Sequence, residues 1–261
     1  MIVRTQRHAD GREGWLLIAQ QDHARVAFDL CQGWRPLLAF ADPAALEAAI
    51  LHHDDGWKSW DATPDVDPAT GRPRDFLNME LPAVLPMWTA SIAEAARHSP
   101  LAAYAVSGHF SALLEHSKLA EQPGNAEASH TFLADEAKRR SHALQQWLRE
   151  DPAEPGVPNR TAEAADWALH GLQHFDRFSL WLCCGENHQP AQLTLPGGDA
   201  LRLNPVSPYD IEADPWTWEV PQLQLSVSGW WIAARPYRDA ADVLAAREGK
   251  QQLAWTLRPA R

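Results

Sequence analysis

Three segments that read as helices each turn an ionisable side chain toward an apolar stripe, and a fourth such group sits beside one of them. A helix advances by about 100° per residue, which fixes the face of any position. In QDHARVAFDLCQGW, His23 lies within about 60° of Val26, Ala27, Leu30 and Trp34. In PAALEAAILHHDDGW, His53 lies within about 60° of Leu46, Ala49 and Ile50, and Asp54 follows it at the rim of that stripe. In the segment after Thr161, Asp176 lies within about 60° of Leu169, Leu172, Leu180 and Cys183. Each taken alone has a plain explanation: a hydrogen-bonded core histidine, or an aspartate at a helix end. Asp176 is harder to explain this way, because an unpaired buried carboxylate costs several kcal/mol or gives up its charge. Arg177 is adjacent but points elsewhere. A divalent cation satisfies all four groups at once, since imidazole nitrogen and carboxylate oxygen both suit first-row metals.

The other histidines divide by face. His109, in YAVSGHFSALLEH, shares a stripe with Ala102, Ala105 and Leu113 and can reach the same interior, as a second-metal ligand or as an acid/base. His170 and His174 have the i, i+4 spacing that can chelate an ion. They share their face with Trp167, Arg177 and Trp181 and lack a third ligand, which points to surface or interface packing. His130 and His142 belong to a charged helix and read as surface residues.

The order His23, then the adjacent His53-Asp54, then Asp176, each on its own helix, resembles the HD-domain superfamily of helical, metal-dependent phosphohydrolases. DHARVA, HHDDGWKSWD, SGHFSALLEH and HFDRFSLWLC are similar to a bacterial family in that superfamily's orbit that has no assigned function. The resemblance implies His23, His53, Asp54 and Asp176 as ligands of a divalent ion (Mn, Fe, Mg, Ni or Zn). It implies Asp54 as a bridge if a second ion binds. It also implies that Asp55 orients or deprotonates water, and that Lys58, Arg72 and Arg74 meet phosphate oxygens. Asp55 reads equally as a solvated cap. The sequence departs from the superfamily pattern at Trp57, where many members carry a lysine directly after the glycine; here the lysine is Lys58. The implied function is hydrolysis of a phosphate ester or anhydride of a small molecule or nucleotide. The alternatives are a di-iron oxygenase and a non-catalytic protein with a remnant site.

The elements that must carry these residues follow from periodicity and end signals. A hairpin over IVRTQ and WLLIAQ leads into a helix from about Asp22. Asp42-Pro43 starts the next helix, with Gly56 expected as the residue that stops it. Residues 57–86, rich in Asp, Pro and Gly, read as a long ordered loop. Helices are expected over about 86–98, 100–118 and 125–149, then a loop DPAEPGVPNR, then a helix capped by Thr161 and running to about Cys184. QLTLP and ALRLN flank a hairpin turn. Further strands are expected in WTWEV, LQLSVSGWWIAAR and QLAWTLRP, with one helix in RDAADVLAAREG. The expected fold is mainly α (α+β). It has one HD-like domain over residues 1–261, with a helical core at about 20–185 and a small antiparallel sheet from segments 1–20 and 190–261.

Composition sets the outer limits. The 45% hydrophobic content and 13 Trp suffice for a sizeable core in a chain of 261 residues. A net charge of −11 argues against general nucleic-acid or anionic-membrane binding. Cys31, Cys183 and Cys184 cannot form a disulfide framework. With neither a signal-like apolar segment nor a membrane span, the expectation is a cytoplasmic protein with a small-molecule, phosphorylated substrate. Trp216, Trp218, Trp230 and Trp231 offer either a homodimer surface or core packing, and packing is the simpler reading.

Overall fold

The computed structural model describes residues 1–8, 10–150, 156 and 158–260. In chain order the elements are β1 (Ile2–Arg7), β2 (Glu13–Ile18), α1 (Gln20–Cys31), α2 (Arg35–Leu38), α3 (Pro43–His52), α4 (Lys58–Ala62), α5 (Leu81–His98), α6 (Pro100–His116), α7 (Ala126–Arg149) and α8 (Ala162–Cys183). They are followed by β3 (Ala191–Thr194), β4 (Ala200–Pro205), β5 (Asp210–Asp214), β6 (Leu223–Ala233), α9 (Ala240–Ala245) and β7 (Lys250–Pro259). Two 3-10 turns, Asp55–Trp57 and Phe76–Asn78, punctuate the segment between α3 and α5.

Helices α1, α3, α6 and α8 pack against one another, and α1 also packs on β6. Their apolar stripes are the ones the sequence marks: Val26, Ala27, Leu30, Leu46, Ala49, Ile50, Leu172 and Cys183 are fully buried. Each large side chain so buried contributes about 1.5–3 kcal/mol. Two caps behave as expected. Ala45 N donates to Asp42 Oδ1 at 3.2 Å, and Ala164 N donates to Thr161 Oγ1 at 3.1 Å. Part of the loop before Thr161, residues 151–155 and 157, lies outside the described residues.

The sheet departs from expectation. It is neither small nor purely antiparallel: seven strands run in the order β1-β2-β6-β7-β5-β4-β3, and β5 pairs with β7 in parallel. The fold is α+β with a large mixed sheet. Strand β5, DIEAD, is polar and short, and its parallel partner lies some forty residues downstream, so no local pattern announces it. The expected joining of the chain ends does occur, because β1 pairs with β2 and β2 with β6. WTWEV is not a strand of the sheet. Its Trp218 forms an isolated bridge with Trp34 and donates its indole N–H to the carbonyl of Leu30, which closes the end of α1. Trp218 and Trp231 are core residues.

The segment from Trp57 to Pro86 also differs from the expected loop. It contains α4, a 3-10 turn and the first turn of α5, which begins at Leu81 and runs through Pro86. Pro82 sits in the first turn, where its missing N–H costs nothing, and the burial of Val84, Met87 and Trp88 offsets the bond lost at Pro86. Among the described residues, no helix is long and apolar enough to cross a membrane.

Candidate metal centre

Consecutive residues in a helix diverge by about 100°, so a His-Asp pair can aim at one point only if the helix ends between them. α3 does so. His53 keeps helical angles (φ −59°, ψ −27°), while Asp54 leaves them (φ −111°, ψ 17°) and the chain tightens into the Asp55–Trp57 turn. Gly56 does not stop the helix by adopting a positive φ. It is needed for close approach: its N–H donates to Ser91 Oγ at 2.9 Å, and a Cβ there would lie 2.0 Å from the carbonyl oxygen of Met87 on α5.

The four residues marked by the sequence converge. His23, His53, Asp54 and Asp176 are each no more than 8% exposed. His23 Nε2 stands 2.8 Å from Asp54 Oδ2 and 3.9 Å from Asp176 Oδ1. His53 Nε2 stands 3.4 Å from Asp54 Oδ2 and 3.2 Å from Asp176 Oδ1. Two ligand atoms at about 2.1 Å from one ion stand about 3.0 Å apart at a right angle and about 3.4 Å apart at a tetrahedral angle. The observed spacings bracket those values.

Hydrogen bonding on the far side of each ring fixes its tautomer. His53 Nδ1 faces the carbonyl of Ile50 at 2.8 Å, an acceptor only, so Nδ1 carries the proton. Ser179 spends its hydroxyl proton on the carbonyl of Asp176 at 2.8 Å, so at 2.9 Å it accepts from His23 Nδ1. Both Nε2 lone pairs therefore point at carboxylate oxygens. That arrangement is stable only with a second proton on the rings or a cation among the four groups. Electrostatics agree. Burial alone would push His53 down, but Asp54 and the hydrogen-bonded Asp176 outweigh it and raise it to about 9. Burial would likewise raise both carboxyls; His53 and His23 hold Asp54 below the usual range, and His53 and His109 hold Asp176 below it. The same groups have spacings that could hold a metal ion.

His109 joins the cluster from α6, with Nε2 3.8 Å from Asp176 Oδ2. Burial lowers its pKa against the pull of Asp176, and Nδ1 has no partner. His23, His53 and Asp54 form one group with metal-ligand spacing, and His53, His109 and Asp176 form another.

The remaining candidates lie elsewhere. Asp55 accepts from Gln21 Nε2 and faces His52 Nδ1 at 2.9 Å and Lys58 Nζ at 3.3 Å. Arg72 lies over the Trp15 ring, and Arg74 pairs with Asp65 at 2.8 Å. None of Asp55, Lys58, Arg72 or Arg74 lines the cavity next to the cluster. His174 is buried, with Nδ1 donating to the carbonyl of Thr194, while His170 is exposed; both line a separate surface cleft with Arg177. Two contributors escape the sequence reading. Ser179 fixes the His23 tautomer, and Gln20, at the first position of α1, is buried in the cavity wall.

Residues 1–233 match the family described as Protein of unknown function (DUF3891). The chain belongs to that family. The matched span carries all five cluster residues and ends with β6. No curated protein and no solved structure matches the chain.

Proposed function

We propose that this chain is a metal-dependent hydrolase of a phosphate ester or anhydride in a small molecule, with His23, His53, Asp54 and Asp176 as the ligands of a divalent ion. The convergence of two Nδ1-protonated imidazoles on two carboxylates carries this reading. When bound, such an ion lowers the pKa of a coordinated water and polarises the phosphoryl oxygen. Asp54 and Asp176 neutralise a 2+ charge, so the loaded site is close to neutral overall. His109 stands at the wall of the cavity, where it can take the proton of the attacking water. The water oxygen bonds to phosphorus, the bond to the leaving oxygen breaks, and that oxygen takes the proton back from His109. Among the described residues, no lysine or arginine lines the cavity, so offsetting the phosphoryl charge would fall to an ion held by the four ligands.

One observation favours a second reading, oxidation by dioxygen at two iron ions. Asp176 faces His53 with Oδ1 and His109 with Oδ2, so two adjoining groups with ligand spacing could each hold an ion. Elemental analysis of purified protein, paired with a panel of phosphate esters and anhydrides, separates the two. One ion per chain with phosphate release supports the hydrolase. Two irons with near-ultraviolet absorbance support the oxygenase. A protein without stoichiometric metal overturns both.

A further inference from the structure

The cavity beside the cluster has a lining unlike that of a phosphosugar or nucleotide site. It measures about 110 Å³ and is walled by Trp57, Phe76, Val84, Trp88, Phe110 and Leu180, among others. Apart from the cluster residues, its polar lining groups among the described residues are the Gln20 amide and the indole N–H groups of Trp57 and Trp88. At its mouth Leu77 is 74% exposed and Leu113 is 43% exposed, although both are large and apolar. Three buried polar atoms on the lining residues have no partner in the protein: Gln20 Oε1, His109 Nδ1 and the indole Nε1 of Trp57. Buried polar atoms are seldom left unpaired, because desolvation is then uncompensated. Apolar walls with a few placed polar atoms are the usual make-up of a small-molecule pocket.

We propose that this cavity binds the non-reacting part of the substrate, a short uncharged alkyl or aryl group whose single polar head is read by Gln20 and His109. Size supports this, since an engineered apolar cavity of about 150 Å³ accepts benzene. A cavity of about 110 Å³ holds a group of about four or five non-hydrogen atoms, and a longer chain leaves past Leu77 and Leu113. Charge supports it too: a sugar ring would leave several hydroxyls facing Trp and Phe, and a second phosphate would meet Asp54 and Asp176 with no side-chain cation. Gln20 Oε1 accepts from a hydroxyl or amide N–H of the ligand, which sets the preference among apolar molecules. As an account of the substrate this rests on the hydrolase reading, whereas the binding itself does not.

The test is equilibrium binding to the full chain, followed by the fluorescence of Trp57 and Trp88, with n-butanol, butyramide, glycerol and methyl phosphate as probes. n-Butanol and butyramide should bind saturably and at least tenfold more tightly than glycerol or methyl phosphate, with or without metal. Val84→Trp fills the cavity and should weaken both by at least tenfold. Leu113→Arg, at the exposed rim, should do so in part if the filled variant does not fold. Gln20→Leu should weaken the two apolar probes at least threefold without changing metal content. Equal or tighter binding of glycerol or methyl phosphate overturns the proposal, as does butanol binding indifferent to both wall variants. Elemental analysis of the same samples separates the two readings. Butanol binding in a protein without metal removes the hydrolase and keeps the cavity assignment. A metal-loaded protein that ignores butanol removes only the cavity assignment.

Discussion

Ser179 Oγ accepts the Nδ1 proton of His23 at 2.9 Å while donating its own to the carbonyl of Asp176, one turn earlier on α8. One hydroxyl thus links two cluster residues that lie 153 positions apart in the chain and fixes which nitrogen of His23 faces the cluster. Outer partners of this kind orient a ligand and raise its basicity, and their loss typically costs 10–100-fold in affinity. Ser179→Ala should therefore keep the fold and weaken metal retention by about 10–100-fold, read by competition with a chelator. Unchanged retention would mean that the tautomer is fixed by something other than Ser179.

Asp54 and Asp55 are neighbours with different partners, and substitution should separate them. Asp54→Ala removes a carboxylate that stands 2.8 Å from His23, so metal and activity should disappear together. The metal-free fold should survive, because a buried carboxylate without its cation is itself unfavourable. Asp55 is tied to Gln21, His52 and Lys58 and stays outside the cavity, so Asp55→Ala should retain metal. Its rate should fall by less than the roughly 10²-fold expected for a proton-transfer group. Metal content and turnover of the two purified variants decide the matter; a 10²-fold loss with metal intact would return Asp55 to the chemistry.

Gly56 is the residue where the motif HHDDGW meets α5. A methyl group there would sit 2.0 Å from the Met87 carbonyl and 2.7 Å from Ser91 N, and both are helix backbone that cannot yield cheaply. Gly56→Ala should cost about 3 kcal/mol or more. For a chain of this size that lowers the unfolding midpoint by roughly 6–12 °C, measured by calorimetry. Metal content should fall with it, since the displaced turn carries Asp54. A midpoint within a degree or two of the parent would show that α5 moves aside freely.

The site was legible in the sequence where helical periodicity applies and illegible where it does not. His23, His53, Asp176 and His109 each interrupt an apolar stripe, and facing alone brings them together. Ser179 and Gln20 carry no such mark. A serine or glutamine on a buried face is unremarkable until a partner from another helix is known. The sheet follows the same division. β6 and β7 alternate clearly, but the polar β5 lies between an antiparallel β4 and a parallel β7, and no local pattern encodes the parallel pairing. Asp55 and Lys58 adjoin the cluster in sequence, but they pair with each other and neither lines the cavity.

His174 offers a test of burial away from the cluster. It is 3% exposed, donates Nδ1 to the Thr194 carbonyl at 3.0 Å and leaves Nε2 without a partner. Burial lowers its pKa to about 4, with the Thr194 bond opposing only in part, against 6.5 for an ordinary histidine. Between those values the unfolded chain binds the proton and the folded one does not, so stability rises with pH across that window. Acidification should therefore remove roughly 3 kcal/mol from this residue, beginning as pH falls below 6.5 and complete below about 4. His174→Asn keeps a donor for Thr194 but cannot take up the proton. The variant should be less stable than the parent at pH 7.5, having lost the ring that stacks near Trp34, yet lose less on acidification. Urea midpoints for both proteins at pH 7.5, 5.5 and 4.5 supply the comparison, because the other histidines titrate equally in each. Parallel curves for parent and variant would show that His174 is protonated in the folded state without cost, and that its surroundings admit water.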